Sequence, residues 1–288
     1  MLIIYNPAAG RRRAQLLWRV LDVMSGSGVK LELAETRHAR HAIDLSRDAA
    51  KRGVRLIVAA GGDGTIADVA NGMSGSDCRL GIIPLGTANV LAHELGLPFA
   101  PAAVAAALAF GRTKPLWPGI AHFSTESRVF VQMVGAGFDA QVVHRLSLGM
   151  KRAIGRGAYV AQSLREMARY SFAPIRVRID GKLVEAGSVV VSKGRFYAGC
   201  YTLAPDATPT EPGFTVALFN AHGPLAAMMY GAALPLDQMA RVPGLRLIRA
   251  RHVEIESADI PAQADGDPAG SAPLTVTDAA GPIRVVVA

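Results

Sequence analysis

The chain has 288 residues, 50% of them hydrophobic and 19% charged, with a mean hydropathy of +0.25, which argues against disorder and for a large buried core. Thirty-one Lys and Arg against 23 Asp and Glu leave a net charge of +8, suited to an anionic partner such as a nucleotide, a nucleic acid or a membrane surface. Cys78 and Cys200 form neither a disulfide framework nor a metal-ligand spacing, and the longest notable uncharged stretch, Ala221 to Leu236, is too short for a membrane span.

These features, with an N-terminus that lacks a signal-peptide pattern, read as a soluble cytoplasmic protein able to touch a membrane. In the first third, strand and helix patterns alternate. "LIIYNP" is a short apolar run ending in a turn, and "AQLLWRVLDVMSGSG" has helical spacing closed by glycine. "VKLELAET" alternates like a strand, "HARHAIDLSRDAAKRG" reads as a helix, and "VRLIVAA" reads as a buried parallel strand. The helix "TIADVANGM", the strand "LGIIPLG" and the helix "TANVLAHELGLP" follow, and "APAAVAAALAFG" closes the region. Four alternations predict a doubly wound α/β domain on a parallel sheet.

From "TKPLWPGIAHF" onward, strand-like runs dominate: "RVFVQMVGAG", "PIRVRID", "KLVEAGSVVVS", "FTVALF", "LRLIRARHVEIES", "LTVTD" and "IRVVVA". "IDGKL" reads as a hairpin turn, and one helical stretch, "AIGRGAYVAQSLREMARYS", interrupts the strands. The expected division is residues 1–117 as the α/β domain and 118–276 as a β-rich domain.

The chemistry concentrates where strands end. "GGDGT", with Gly61, Gly62, Asp63, Gly64 and Thr65, follows a buried strand and opens a helix. Open α/β sheets bind ligands at that edge. Glycines let a phosphate approach the backbone, and the helix N-terminus supplies N–H groups. A carboxylate there repels phosphates unless a divalent cation lies between, so Asp63 reads as a Mg²⁺ handle. The plainer alternative is a tight turn with Asp63 as a helix N-cap. The loop is neither a Walker loop nor the dinucleotide fingerprint. Three other turns share the edge: "YNPAAGRRR" with Asn6, Gly10 and Arg11, Thr36 after the second strand, and "PLGTAN" with Gly86, Thr87 and Asn89.

With these residues in view, the chain resembles the diacylglycerol kinase catalytic-domain superfamily, closest to soluble bacterial lipid kinases, with sphingosine and ceramide kinases as cousins and NAD kinases more distant. The pieces run in family order over nearly the whole chain: "IIYNPAAG", "ETRHARHA", "GGDGTIADVANG", "IPLGTANVLAHELGLP", "VGAGFDAQVV", "YTLAPDATPTEPGFTVALF" and "PAQADGDP". The resemblance implies a nucleotide held between an α/β domain and a sandwich-like domain, with the C-terminal strand (about 277–288) returning to the first. It implies ATP and Mg²⁺ as cofactors and a lipid hydroxyl as acceptor. It makes Asp265 the general base, Asp63 the organiser of metal and water, and Asn6, Thr36, Thr65, Thr87, Asn89 and Asp267 contacts for the nucleotide or metal. From the residues alone, "ADGDP" is a plain Asp-Gly turn.

Some positions depart from the family pattern. Asp267 and Asp68 stand where Glu is common, and Val90 replaces an acidic or polar residue. "TEPGF" stands where an Asp-Asp-Gly stretch carries a structural Mg²⁺ in some relatives, and no second metal is assigned here.

Arg145, Lys151, Arg152, Arg156, Arg165 and Arg169, against Glu166 alone, suggest docking to an anionic membrane, as do Arg246, Arg249 and Arg251; a solvated charged face is the alternative. "PLAAMMYGAAL" reads as an acyl-chain lining or a buried core helix. Aromatics total only 6%, which disfavours nucleic acid as a partner. An NAD kinase-like enzyme and a catalytically silent binding module stay open as alternatives.

Overall fold

The computed structural model describes residues 1–8, 14–146 and 156–288. Gly10, Arg11, Lys151 and Arg152 lie outside the described residues. Two compact units result, one of Met1–Pro118 with Ala279–Ala288, the other of Gly119–Asp278.

In the first unit, β1 (Leu2–Tyr5), β2 (Glu32–Glu35), β3 (Leu56–Gly61) and β4 (Arg79–Pro84) run parallel in the order β2-β1-β3-β4. The last strand of the chain, β20 (Ile283–Val287), adds parallel to β4, and β5 (Arg112–Leu116) adds antiparallel to β20. Every residue of β3 is buried, as an all-apolar central strand covered on both faces requires. Helices α1 (Ala14–Gly26) and α5 (Pro101–Phe110) cover the face that carries Ile3, Val58 and Ile83. Helices α2 (His41–Lys51) and α3 (Asp63–Gly72) pack together, and α4 is a single short piece, Val90–Glu94. This is the doubly wound parallel sheet that the alternating pattern predicts.

The second unit is an antiparallel sandwich. One sheet orders β10 (Lys182–Ala186), β9 (Ile175–Ile179), β16 (Val253–Ile255), β19 (Leu274–Asp278), β6 (Gly119–Phe123) and β7 (Ser127–Phe130). The other orders β15 (Leu245–Ala250), β14 (Phe214–Phe219), β11 (Ser188–Ser192), β8 (Met133–Gly137), β17 (Pro261–Ala264) and β18 (Asp267–Ser271). Phe130, Val177, Val253 and Val276 from the first sheet meet Val134, Val191, Phe214 and Val216 from the second in one core. A two-stranded ribbon, β12 (Phe196–Tyr197) with β13 (Tyr201–Thr202), and helices α6 (Phe138–Arg145), α7 (Arg156–Met167) and α8 (Pro224–Ala233) complete the unit.

Two runs that read as single strands are broken. "RVFVQMVGAG" becomes β7 and β8, interrupted at Val131–Gln132, and "LRLIRARHVEIES" becomes β15 and β16, which enter different sheets. Both breaks have one physical cause. An aspartate from a distant Asp-Gly turn takes the backbone N–H groups that would otherwise extend the ladder. Asp265 accepts from Val131, Gln132 and Met133, and Asp180 accepts from Arg251 and His252. The expected helix "TANVLAHELGLP" also shortens to α4, because Asn89 before it is left-handed, at φ 48°.

Candidate active site

The strand order β2-β1-β3-β4 changes direction between β1 and β3, and a doubly wound sheet opens a ligand crevice beyond the carboxyl ends of those strands. Asn6 follows β1 and Gly62–Asp63 follow β3, so both lie at that switch point. They are tied together. Asn6 Nδ2 donates to Thr65 Oγ1 at 3.1 Å, and Asn6 N–H donates to Ala60 O at 3.0 Å. Thr65 is buried in the first turn of α3, below Gly61, where a Cβ would lie 2.5 Å from its hydroxyl. Thr36 joins at the backbone level, its N–H donating to Tyr5 O at 2.9 Å.

Asp63 is the first residue of α3, and Gly62 is the N-cap. The Asp63 carboxylate caps another helix instead. Its Oδ2 accepts from Val90 N–H at 3.1 Å and its Oδ1 from Leu91 N–H at 3.0 Å, the first two amides of α4. The β3–α3 turn and the β4–α4 turn are thereby locked to each other. Gly86 N–H and Leu85 N–H both donate to Gly61 O, and a Cβ on Gly86 would sit 2.6 Å from Gly62 Cα. Only glycine lets these two backbones pass at that distance. Asn89 is 1% exposed, and its Nδ2 donates to Gly86 O at 2.8 Å while its Oδ1 has no partner. Thr87 is exposed beside it.

Asp265 and Gly266 form the two-residue turn between β17 and β18, with φ of 48° and 81°, and Ala264 pairs with Asp267 across it. The Asp265 carboxylate accepts N–H bonds of 2.8, 2.8 and 2.9 Å from Val131, Gln132 and Met133. Asp267 is exposed at the start of β18. Sequence reasoning missed two neighbours of this turn. Gln132 is 1% exposed, and both its Oε1 and its Nε2 lack a partner. Asp139, in the first turn of α6, accepts from the Tyr197 hydroxyl and from Gln263 Nε2 at 3.2 Å, and Gln263 Oε1 accepts from Gly266 N–H at 2.9 Å. Removal from water pushes the Asp139 carboxyl above the usual carboxylate range, and those two hydrogen bonds oppose the shift. Its one sequence signal was an acid two residues after the second glycine of "VGAGFDA".

The first unit thus gathers Asn6, Thr36, Gly61, Gly62, Asp63, Thr65, Gly86 and Asn89 at one sheet edge. Asp265 and Asp267 lie in the second unit at one hairpin turn. An α/β unit with a glycine-lined, carboxylate-bearing edge is thus followed along the chain by an antiparallel sandwich. Residues 1–119 match the family described as diacylglycerol kinase catalytic domain, and residues 132–287 match the YegS C-terminal NAD kinase beta sandwich-like domain. The chain belongs to the diacylglycerol kinase catalytic-domain family, and it is a kinase.

It is 30% identical over 224 residues to "Diacylglycerol kinase" of Bacillus subtilis strain 168, covering 76% of this chain and 73% of that one. It is 30% identical over 249 residues to "Probable lipid kinase YegS-like" of Pseudomonas putida KT2440, covering 83% and 81%. A crystal structure of a diacylglycerol kinase from Bacillus anthracis str. Sterne superposes with a TM-score of 0.73 at 19% identity, covering 100% of this chain and 96% of that one, which establishes the shared fold.

Proposed function

We propose that this kinase transfers the γ-phosphoryl group of ATP to the hydroxyl of a membrane lipid, diacylglycerol or a sphingolipid such as ceramide. Family membership supports the reaction class. The observation that carries the reading is the locked edge at the β1/β3 switch point, where Asp63 joins two glycine turns into one frame. In this reading residues 1–117 with the C-terminal strand hold the nucleotide, and residues 118–276 take the lipid.

The edge suits a nucleotide with its metal. Gly62 and Gly86 leave no side chain between the two turns, and the buried Asn89 Oδ1 is an acceptor for a donor on the ligand. Mg²⁺ is held with phosphates through one or two carboxylates plus water, and Asp63 is the carboxylate at this edge. Asp63 would hold such an ion, which would supply charge neutralisation on the phosphoryl group in transfer.

The chain's own part is positional. Asn6, Thr36, Thr65, Thr87, Asn89 and, beyond the described residues, Gly10 and Arg11 contact the nucleotide, and Asp267 contacts nucleotide or metal. Asp265 accepts the proton of the lipid hydroxyl. As that proton leaves, the lipid oxygen bonds to the γ-phosphorus, the bond from phosphorus to the β–γ bridging oxygen breaks, and ADP departs with the electron pair. Val131, Gln132 and Met133 N–H groups fix the base.

The test is a reaction with labelled ATP and a panel of diacylglycerol, ceramide, sphingosine and NAD, read by mass spectrometry. Phosphate on a lipid supports the proposal. Phosphate on NAD alone, or ATP binding without transfer, overturns it.

Gln132 adds a second check. A buried carboxamide with no partner costs about 1–3 kcal/mol and fits a site whose partner is a ligand hydroxyl. Gln132→Leu is expected to raise the melting temperature while raising KM for the lipid. A variant that melts lower, with unchanged KM, shows that Gln132 serves the fold.

A further inference from the structure

We propose that the uncovered face of α8 is the surface by which this protein lies on an anionic membrane. The ten residues of α8 include no charged side chain. One stripe, Ala226, Tyr230 and Ala233 at i, i+4 and i+7, packs on Met133, Val190 and Ala217 of the sheet beneath. The opposite stripe is equally apolar and open. Leu225 is 82% exposed, Met228 53% and Met229 38%, and Leu236, just beyond the helix, is 68% exposed. A helix that is apolar all round is ordinarily covered all round. Other large exposed apolar residues, such as Trp18, Leu33 and Leu183, stand apart along the chain, and single exposures of that kind need no partner. Here they form a contiguous patch.

The rim of the patch selects the occupant. Leu245 of β15 packs beneath α8, so strand alternation places Leu247 and Arg249 on the same side of the sheet, and Leu247 is itself 38% exposed. Arg241 and Arg249 are exposed around this region, and between Ala221 and Arg251 the single acid is Asp237. Apolar side chains flanked by arginines match an interface of acyl chains below and anionic headgroups above. Among the described residues no helix is long and apolar enough to cross a membrane.

The proposal rests on the lipid kinase reading only in that such a substrate resides in the membrane, and its test uses no ATP. Co-sedimentation is measured with vesicles of equimolar phosphatidylglycerol and phosphatidylcholine, and with phosphatidylcholine alone. The variant Leu225→Ser/Met228→Ser/Met229→Ser is expected to lose about tenfold or more in binding to the mixed vesicles. Its melting temperature should hold, since the three side chains are exposed. Arg241→Gln/Arg249→Gln is expected to lose roughly ten- to a hundredfold on the mixed vesicles and little on phosphatidylcholine.

Serine-variant binding equal to the parent's overturns the proposal, as does a parent chain that ignores both vesicles. A parent dimer that the serine variant converts to monomer, with vesicle binding kept, assigns the face to a second copy and also overturns it. Kinase activity on detergent-dispersed lipid is measured separately, so loss of this proposal leaves the catalytic reading standing, and the reverse.

Discussion

Asp265→Asn is expected to lower kcat by about 10²–10⁴-fold, the usual contribution of a positioned general base, with ATP affinity unchanged. The substitution carries a structural cost that must be separated from the chemical one. A carboxamide has one acceptor oxygen where the carboxylate has two, and three N–H groups converge here. At least one of them loses its partner or meets an NH₂ group, at a cost of about 1–3 kcal/mol.

The chain contains its own control. Asp180–Gly181 forms the same turn between β9 and β10, with φ of 45° and 84°, and Asp180 grips the N–H groups of Arg251 and His252. Asp180→Asn is expected to lower the melting temperature comparably and leave kcat intact. Steady-state kinetics below both melting temperatures decide the matter. If both variants lose activity in step with stability, or if Asp265→Asn turns over normally, Asp265 is a structural staple like Asp180 and not the base.

This pair shows what the sequence can and cannot convey. "IDGKL" and "ADGDP" are both legible as Asp-Gly turns, because two adjacent left-handed residues need those residue types. What each carboxylate does is not legible, because its partners lie 71 and 72 residues away for Asp180 and 132–134 away for Asp265. The same distance hides the breaks in "RVFVQMVGAG" and "LRLIRARHVEIES", whose local patterns are continuous strands.

The doubly wound sheet was readable because its signals are local. Apolar runs such as "LIVAAG" are buried from end to end, and their helices close on glycine. The loops that gather at its edge were readable too, because a parallel sheet brings strand ends to one edge regardless of chain distance. Asp63 was recognised as the odd carboxylate of that edge, but its grip on α4 depends on the left-handed Asn89, which no pattern announces. The apolar segment from Pro224 to Leu234 was legible as a helix. Which of its faces is covered was not, since a helix apolar on every side has no periodicity to read.

Lys193 is the other feature that only the fold discloses, and Lys193→Met is expected to destabilise the chain by about 3–5 kcal/mol, the usual cost of removing one partner from a buried ion pair. Its side chain is 0% exposed, an extreme position for an ammonium group. The geometry accounts for it. Nζ donates to Asp278 Oδ1 at 2.7 Å, to Gly213 O at 2.9 Å and to Glu211 O at 3.2 Å, which uses all three N–H groups. It also stands 4.8 Å above the Phe214 ring, and Asp278 Oδ2 accepts from Gly213 N–H.

Removal from water pushes the lysine below its ordinary pKa, and the bond to Asp278 opposes that shift. One side chain therefore fastens the "TEPGF" segment to the last residue of β19, at the end of the sandwich unit. Methionine matches the length but strands two carbonyl oxygens and a carboxylate, whereas Lys193→Met with Asp278→Asn strands less charge and is expected to recover part of the loss. In a chain of this size the single variant should melt roughly 6–20 °C lower by calorimetry. A shift under 2 °C, or a double mutant no more stable than Lys193→Met, would show that Lys193 is satisfied by water after unfolding as fully as it is here, and that the segment is held by packing.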